Sequence, residues 1–417
     1  MPSKILLLPE AFGPTIIVFS GENSRSFSLK FLKSESLILS MRIHQEYIIY
    51  PVRILFVTAT YLPTVNGVTY HISSTASALR KMGHKVIIFA PSFPGYQDSD
   101  KDVIRYPSLP NPFVKNYPLG IPLILSKKIE KLKPDIIHTH HPLIIGQYAS
   151  QLAEKLSLPL YFTAHTQYEQ YLNYYFPKGY NLTSKILIRN LINISKSCRK
   201  VICPSEKTKQ RLQKYHIENC VVIYNGIEKS FFVKPKKKNL DQPTLVYTGR
   251  IEKEKNPLFL IKIARELKKI LPNFRLIILG SGSQLNILNQ KIFKYKLMEN
   301  VLLAGEVNRN ILPDIYKSAH LFVTASKSEV MPLSVIEALA SGLPILVLNN
   351  SGLDEIVKDG KNGFILRESP KLFAEKINFI FSSPQTIYKL SENAYKTAQE
   401  FSCEKTARKM IELYSKG

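Results

Sequence analysis

Glu329 and Glu337 stand eight positions apart in SEVMPLSVIEALASGLPIL (328–346), a segment otherwise built of apolar and small residues. Pro332 suits a first helical turn and Gly342 suits its end, so the spacing predicts a helix that begins after Glu329 and carries Glu337. The start of that helix, at Pro332, Leu333 and Ser334, leaves backbone N–H groups and the positive end of the helix dipole beside Glu329, a cradle for phosphate. Glu337 then lies about 7–8 Å further along the axis, at roughly 1.5 Å per residue. Two carboxylates at that separation can hold the two ends of one nucleotide sugar through its hydroxyls. Two solvated surface acids are the competing reading, and the apolar setting weighs against it.

Arg250 and Lys255 follow the apolar run TLVYT in TLVYTGRIEKEKNP, where a guanidinium fork and an ammonium can neutralise a diphosphate as charge builds on it. Generic surface basicity is the alternative there. Gly67, in NGV (66–68) ahead of a helix carrying His71, either lets backbone approach a phosphate closely or makes a plain turn. His138, His140, His141 and His165 invite a metal reading. On a strand, however, His138 and His140 face one side and His141 ends it, a poor arrangement for a compact site. No metal ligand is therefore assigned, and His138 reads as a satisfied core histidine. Asp98 and Asp100 in PGYQDSDKD read as a solvated loop, so no divalent metal is expected to be required.

These residues need elements to position them. From residue 52 the chain alternates short β-branched apolar runs with amphipathic helical runs, the signature of parallel sheets with crossover helices. VRILFVT, KVIIFA, DIIHTH, LYFTAH, KVICPS and VVIYN predict one doubly wound sheet between 52 and 225. The charged, proline-flanked KPKKKNLDQP (234–243) predicts a linker. TLVYTGR, FRLIILG, VLLAGE, LFVTAS, PILVLN and GFIL then predict a second sheet between 244 and 366. The fold class is α/β: two Rossmann-like doubly wound parallel-sheet domains facing each other across a cleft at their C-terminal strand edges. The expected organisation is an N-terminal extension (1–50), a first domain (51–233), the linker, a second domain (244–390) and a C-terminal helix (391–417). Residues 1–50 hold four acids, and Pro9 and Glu10 break the apolar run, so neither a signal nor a transit pattern is read there and residues 1–40 read as a dispensable or mis-assigned leader.

Bulk numbers exclude further classes. The 417 residues hold 57 Lys and Arg against 32 Asp and Glu, a formal charge of +25, which favours an anionic partner. The surplus is spread over both halves, although Lys178 to Lys214 holds ten basic residues and one acid, Glu206. No run of about 18 apolar residues is present, so no membrane-spanning helix is expected. Four cysteines (Cys198, Cys203, Cys220, Cys403) with no CxxC pair read as reduced thiols in a cytosol. A basic nucleic-acid-binding protein remains as the non-enzyme reading, motivated by charge alone.

The run EALASGLP after the Glu-x7-Glu pair resembles the mark of the family-4 retaining glycosyltransferases of GT-B fold. NGV, HTHHP (138–142), FTAHT (162–166), GRIEKEKNP (249–257) and LGSGS (279–283) fall in the matching order, and the resemblance covers about residues 52–400. It implies a metal-independent hexosyltransferase with no cofactor beyond its nucleotide-sugar substrate. Arg250 and Lys255 are then assigned to the pyrophosphate, His140 to the reacting sugar, Glu329 to the transferred sugar and Glu337 to the ribose. Gly67, Gly282, Pro332, Leu333 and Ser334 complete the donor side. HTQYEQYLNYYFP (165–177) is similar to a segment of bacterial diacylglycerol glucosyltransferases, which implies an acceptor side at His165, Tyr168 and Tyr171 and favours UDP-glucose with a lipid such as diacylglycerol. A soluble or polyprenyl-linked acceptor, with GDP-mannose, is the alternative. SKILIRNLINISKSCRK (184–200) either lies on an anionic bilayer or packs its apolar face on the sheet. The first option places the enzyme peripherally on the inner face of the plasma membrane, in the cytoplasm.

Overall fold

The structure, a computed structural model, describes residues 4–7, 16–19, 51–111, 117–122, 126–165, 180–327, 329–349 and 351–416. The chain divides into two units, Met1–Tyr50 and Pro51–Gly417. In the first, β1 (Lys4–Leu7) pairs antiparallel with β2 (Ile16–Phe19).

The second unit contains two parallel sheets. The first is built of β3 (Arg53–Val57), β4 (Lys85–Pro91), β5 (Val103–Tyr106), β8 (Ile136–Thr139), β9 (Leu160–Thr163), β10 (Lys200–Cys203) and β11 (Cys220–Val222), in the order β11-β10-β9-β8-β3-β4-β5. A small antiparallel pair, β6 (Ser108–Leu109) and β7 (Leu119–Gly120), lies outside it. Its helices are α1 (Gly67–Lys81), α2 (Ser126–Leu132), α3 (Ile144–Leu156), α4 (Tyr180–Ser197) and α5 (Glu206–Gln213). The second sheet runs β14-β13-β12-β15-β16-β17. Its strands are β12 (Thr244–Thr248), β13 (Arg275–Leu279), β14 (Val301–Gly305), β15 (Leu321–Val323), β16 (Ile345–Leu348) and β17 (Gly363–Leu366). Helices α6 (Pro257–Lys268), α7 (Leu285–Lys294), α8 (Leu312–Ser318), α9 (Leu333–Ala340), α10 (Pro370–Phe381) and α11 (Pro384–Ala398) accompany it, and α12 (Cys403–Ser415) ends the chain.

Every expected strand is present, and the central β-branched runs are buried on both faces, as Ile54, Leu55, Phe56 and Val57 of β3 illustrate, whereas Leu302 on the edge strand β14 is exposed. Both sheets reverse strand order at one point, between β3 and β8 in the first and between β12 and β15 in the second. Ligands of open α/β sheets bind in the crevice beyond such points. The loops that leave β3, β8, β12 and β15 carry the residues of interest.

Helix α12 returns to the first sheet. Cys403, Ala407, Met410, Ile411 and Tyr414 share a core with Ile54, Phe56, Ile72 and Leu79. The Tyr414 hydroxyl lies 2.6 Å from His138 Nδ1, and Thr163 Oγ1 lies 2.7 Å from His138 Nε2, so His138 is the satisfied core histidine that its strand position implied.

Three local expectations are corrected. Gly67 is not in a loop but is the first residue of α1, because Asn66 caps that helix by accepting from the Thr69 N–H at 2.9 Å. Asp98 and Asp100 are not solvated: Asp98 accepts from Arg105 Nε and Nη2 at 2.8 and 2.6 Å, and Asp100 accepts from Arg80 at 2.6 Å, so neighbouring cations claim both. The segment 234–243 has no regular secondary structure, but it is not a free tether. Leu240 packs on the second core and the Lys238 ammonium donates to the Ala319 carbonyl, burial lowering its pKa to about 8.

Candidate active site

Lys255 reaches the loop after β12 through a short 3-10 turn, Lys253–Lys255, and Glu329 stands in the loop after β15. The Lys255 ammonium donates to Glu329 Oε1 at 2.7 Å. Both side chains are largely sheltered, 20% and 12% exposed, so the pair is screened less than a surface ion pair. Backbone fixes the acid as well: the Glu329 N–H donates to the Ser351 carbonyl at 2.8 Å. Gly352, at φ +91°, lies so close that a Cβ there would collide with the Glu329 carbonyl.

Arg250 lies on the same loop with its guanidinium 2.6 Å from Glu254 Oε1, and its side chain is 44% exposed. Arg250 and Lys255 therefore put two cations at the switch point of the second sheet, each beside a carboxylate that orients it. Gly282 belongs to the loop after β13. Its φ of +156° and the Ile251 carbonyl 2.5 Å from an added Cβ show that glycine is needed there for two loops to pack. The Ser283 N–H and hydroxyl donate to the Glu252 carboxylate at 2.9 and 2.6 Å.

Helix α9 begins at Leu333, with Pro332 as its N-cap and no side chain capping it. Val335 and Ile336 donate their N–H groups to the Pro332 carbonyl at 3.2 and 3.4 Å, so the N–H groups that the helix geometry leaves over are those of Leu333 and Ser334. Gly342, at φ +72°, follows the C-cap residue Ser341 and ends the helix as expected. Glu337 is carried on α9 but is only 2% exposed. Burial raises its pKa, and the guanidinium of Arg309, with Nη1 2.6 Å from Oε1, pulls it back. Arg309 also lies 3.8 Å from Glu228 and sits over the rings of Tyr70 and Phe231, 4.1 and 4.8 Å from their centroids. Tyr70 is in the first turn of α1, so Arg309 ties Glu337 to the helix that Gly67 begins. A Cβ on Gly67 would meet nothing within 4 Å, so no protein atom requires a glycine there.

On the first-sheet side, His140 follows β8 and His165 follows β9, with His140 Nδ1 2.9 Å from His165 Nε2. His71 of α1 joins them, its ring centroid 4.8 Å from that of His165. Burial holds all three neutral: His71 is lowered to about 4, and His140 and His165 lie well below the usual histidine range. His141 is engaged elsewhere, its Nδ1 accepting from the Ala59 N–H at 3.1 Å. Tyr168 and Tyr171, with the rest of the aromatic run, lie outside the described residues.

Sequence reasoning did not find Arg309, Glu254 or His71. An acid on an otherwise apolar helix signals that a buried cation is required, yet its partner lies in an unrelated loop. The basic amphipathic segment packs its apolar face on the sheet. Leu187, Leu191 and Ile194 turn inward, the last two into the first core, because that face of α4 covers the sheet; Ile186 remains 53% exposed.

Known proteins resemble the chain along most of its length. Residues 65–231 match the family described as Glycosyltransferase Family 4, and residues 228–397 match Glycosyl transferases group 1. The chain is 30% identical to the alpha-monoglucosyldiacylglycerol synthase of Streptococcus pneumoniae, covering 87% of this chain and 85% of that protein. It is 29% identical to the enzyme of that name from Acholeplasma laidlawii, covering 87% and 96%. It is also 24% identical to a GDP-mannose-dependent alpha-mannosyltransferase of Corynebacterium glutamicum, covering 76% and 78%. Among solved structures, Anabaena HepE in complex with UDP and glucose superposes with a TM-score of 0.69 at 18% identity, over 88% of this chain and all of that one. The chain thus belongs to the GT-B glycosyltransferases, with a family-4 domain followed by a group-1 domain.

Proposed function

We propose that this glycosyltransferase moves a hexose from UDP-glucose to a membrane-lipid acceptor such as diacylglycerol, with retention of configuration and without a required divalent metal. The observation that carries the donor side is the Lys255–Glu329 pair at the switch point of the second sheet, beside Arg250 and the uncapped start of α9. In this reading Arg250, Lys255 and the α9 amides stabilise the diphosphate as it takes on charge, which needs no metal. Glu329 accepts from hydroxyls of the transferred sugar, and Glu337 Oε1 from a ribose hydroxyl. The acceptor oxygen attacks the anomeric carbon on the face from which the diphosphate departs. The glycosidic C–O bond forms as the C–O bond to phosphate breaks, and a phosphate oxygen takes the acceptor proton. His140 borders the reacting sugar, and His165, Tyr168 and Tyr171 border the acceptor.

The lipid acceptor rests on the two diacylglycerol-glucosylating relatives and on a surface feature. Ile144 in the first turn of α3 is 67% exposed and Ile186 on α4 is 53% exposed. Gln147 and Asn190, each about one turn further along, are joined by a hydrogen bond of 2.5 Å, which brings the two isoleucines to neighbouring turns. Exposed Lys185 and Arg189 flank them. Two apolar side chains among cations suit the surface of an anionic bilayer, which supports a peripheral position on the cytoplasmic face of the plasma membrane as part of this reading. Among the described residues no helix is long and apolar enough to cross a membrane.

The GDP-mannose-dependent relative supports the second reading, a mannosyl or other hexosyl transfer to a soluble or polyprenyl-linked acceptor. One assay separates the two. Labelled UDP-glucose and GDP-mannose are each offered with anionic vesicles containing diacylglycerol, with Glu329→Ala as the blank. Glucose label in the organic extract supports the lipid reading. Label from GDP-mannose, or product only with a water-soluble acceptor, replaces it with the second.

A further inference from the structure

His71, His140 and His165 come from three elements, α1 and the loops after β8 and β9, and their side chains meet with more polar atoms than partners. One ligating nitrogen from each lies within 4.8 Å of the others. His71 is 3% exposed, yet neither Nδ1 nor Nε2 has a hydrogen-bond partner, and the fully buried His140 leaves Nε2 without one. A neutral imidazole always carries one N–H and one lone pair, and burying such groups unpaired destabilises the fold. Phenylalanine would fill the same space with no such cost. The unused nitrogens of His71, which faces His140 and His165, therefore point to a ligand that the protein atoms do not supply.

We propose that His71, His140 and His165 form a binding site for one divalent transition-metal ion of the zinc class. Three imidazole nitrogens with a fourth position open to water or substrate is an established coordination set for zinc. Zinc–nitrogen bonds of 2.0–2.1 Å in a tetrahedron place ligating nitrogens about 3.4 Å apart. His140 Nδ1 and His165 Nε2, at 2.9 Å, need to part by only about 0.5 Å. The His71 ring, 4.8 and 5.9 Å from the other two ring centroids, closes the set by side-chain rotation. The shell behind the site is firm: His138 stacks on His140 at 4.6 Å and is itself held by Tyr414 and Thr163. An all-nitrogen donor set selects zinc, copper or nickel over magnesium and calcium.

One consequence rests on the proposed role of His140: an ion held there occupies the place of the reacting sugar, so zinc inhibits transfer and a chelator restores it. The site itself is tested without activity. The full chain, freed of metal, is titrated with Co²⁺ and followed by visible absorption. The expected result is one equivalent bound with the intense spectrum of tetrahedral cobalt, displaced by Zn²⁺ and indifferent to Mg²⁺. In His71→Phe that spectrum is lost and affinity falls roughly 10-fold or more, whereas the exposed His216→Gln keeps it. Should His71→Phe not fold, His71→Asn carries the same comparison. Absence of stoichiometric binding, or a tetrahedral spectrum that survives loss of His71, overturns the proposal. A failed transfer assay with the cobalt spectrum intact would fault the proposed reaction and not the metal site.

Discussion

Lys255 and Glu329 are far apart in sequence and 2.7 Å apart in space, and both were legible because each follows an apolar strand run in a segment with a motif of its own. Arg309 was not legible. It opens a short 3-10 turn, Arg309–Ile311, after β14, and its importance comes from the buried Glu337 against which the fold places it. Replacing it by methionine keeps most of its bulk over Tyr70 and removes the charge. Arg309→Met is expected to destabilise the chain by about 3–5 kcal/mol at pH 8, the cost of leaving a buried carboxylate unpaired. The sign with pH is definite: burial already raises the pKa of Glu337, and without Arg309 the neutral acid forms more readily, so the deficit against wild type shrinks as pH falls towards 5. Urea unfolding of both proteins at the two pH values reads this directly. An equal deficit at both would show that Arg309 acts through packing alone. His71 was illegible for the same reason as Arg309, since its neighbours His140 and His165 arrive from other elements.

The elements were the most readable level, because buried parallel strands are continuous β-branched runs and all twelve expected runs became strands. Strand β5 was missed; VIRY is too short and polar a run to stand out after the charged loop, and it earns its place at the sheet edge through Ile104 and Tyr106. The α4 segment showed why periodicity leaves its apolar face unassigned: the pattern is the same for a face on a sheet and a face on a bilayer, and only the packing of Leu191 and Ile194 decides. The loop carrying Glu329 gives a prediction at this scale. A methyl group on Gly352 would collide with the Glu329 carbonyl at a φ that L-residues rarely adopt. Gly352→Ala should shift that carboxylate and cost roughly 100-fold in kcat, as small misplacements of positioned groups do. Thermal unfolding alongside steady-state rates distinguishes this from global loss of structure; unchanged kcat would show that the loop absorbs the strain elsewhere.

Across the Pro51–Gly417 unit, two half-molecules that each form a sheet are bound together by side chains, with Arg309 against Tyr70 on one side and α12 returning to the first core on the other. Its interior is rich in neutral histidines, which sets its response to acid. Burial lowers His71 and His141 to about 4 and His138 to about 3, whereas the unfolded chain protonates near 6.5. Below about pH 6.5 the unfolded state therefore binds more protons than the native state, and stability falls with decreasing pH by order 1 kcal/mol per pH unit for each such histidine. The raised pKa of Glu337 works in the opposite direction but is a single group against several. The urea midpoint, measured in the presence of a chelator, should drop steadily from pH 7 to 5; a flat profile would mean these imidazoles are hydrated in solution.

If the loops after β12 and β15 perform glycosyl transfer, turnover of the nucleotide-sugar donor by wild type, Lys255→Met and Glu329→Ala, with folding checked by circular dichroism, reads their contribution directly. Native-like spectra and a loss of at least about 100-fold in kcat are expected for each variant, the scale seen when a group that stabilises developing charge or orients the sugar is removed. Turnover close to wild type in either folded variant would contradict this role for the two loops.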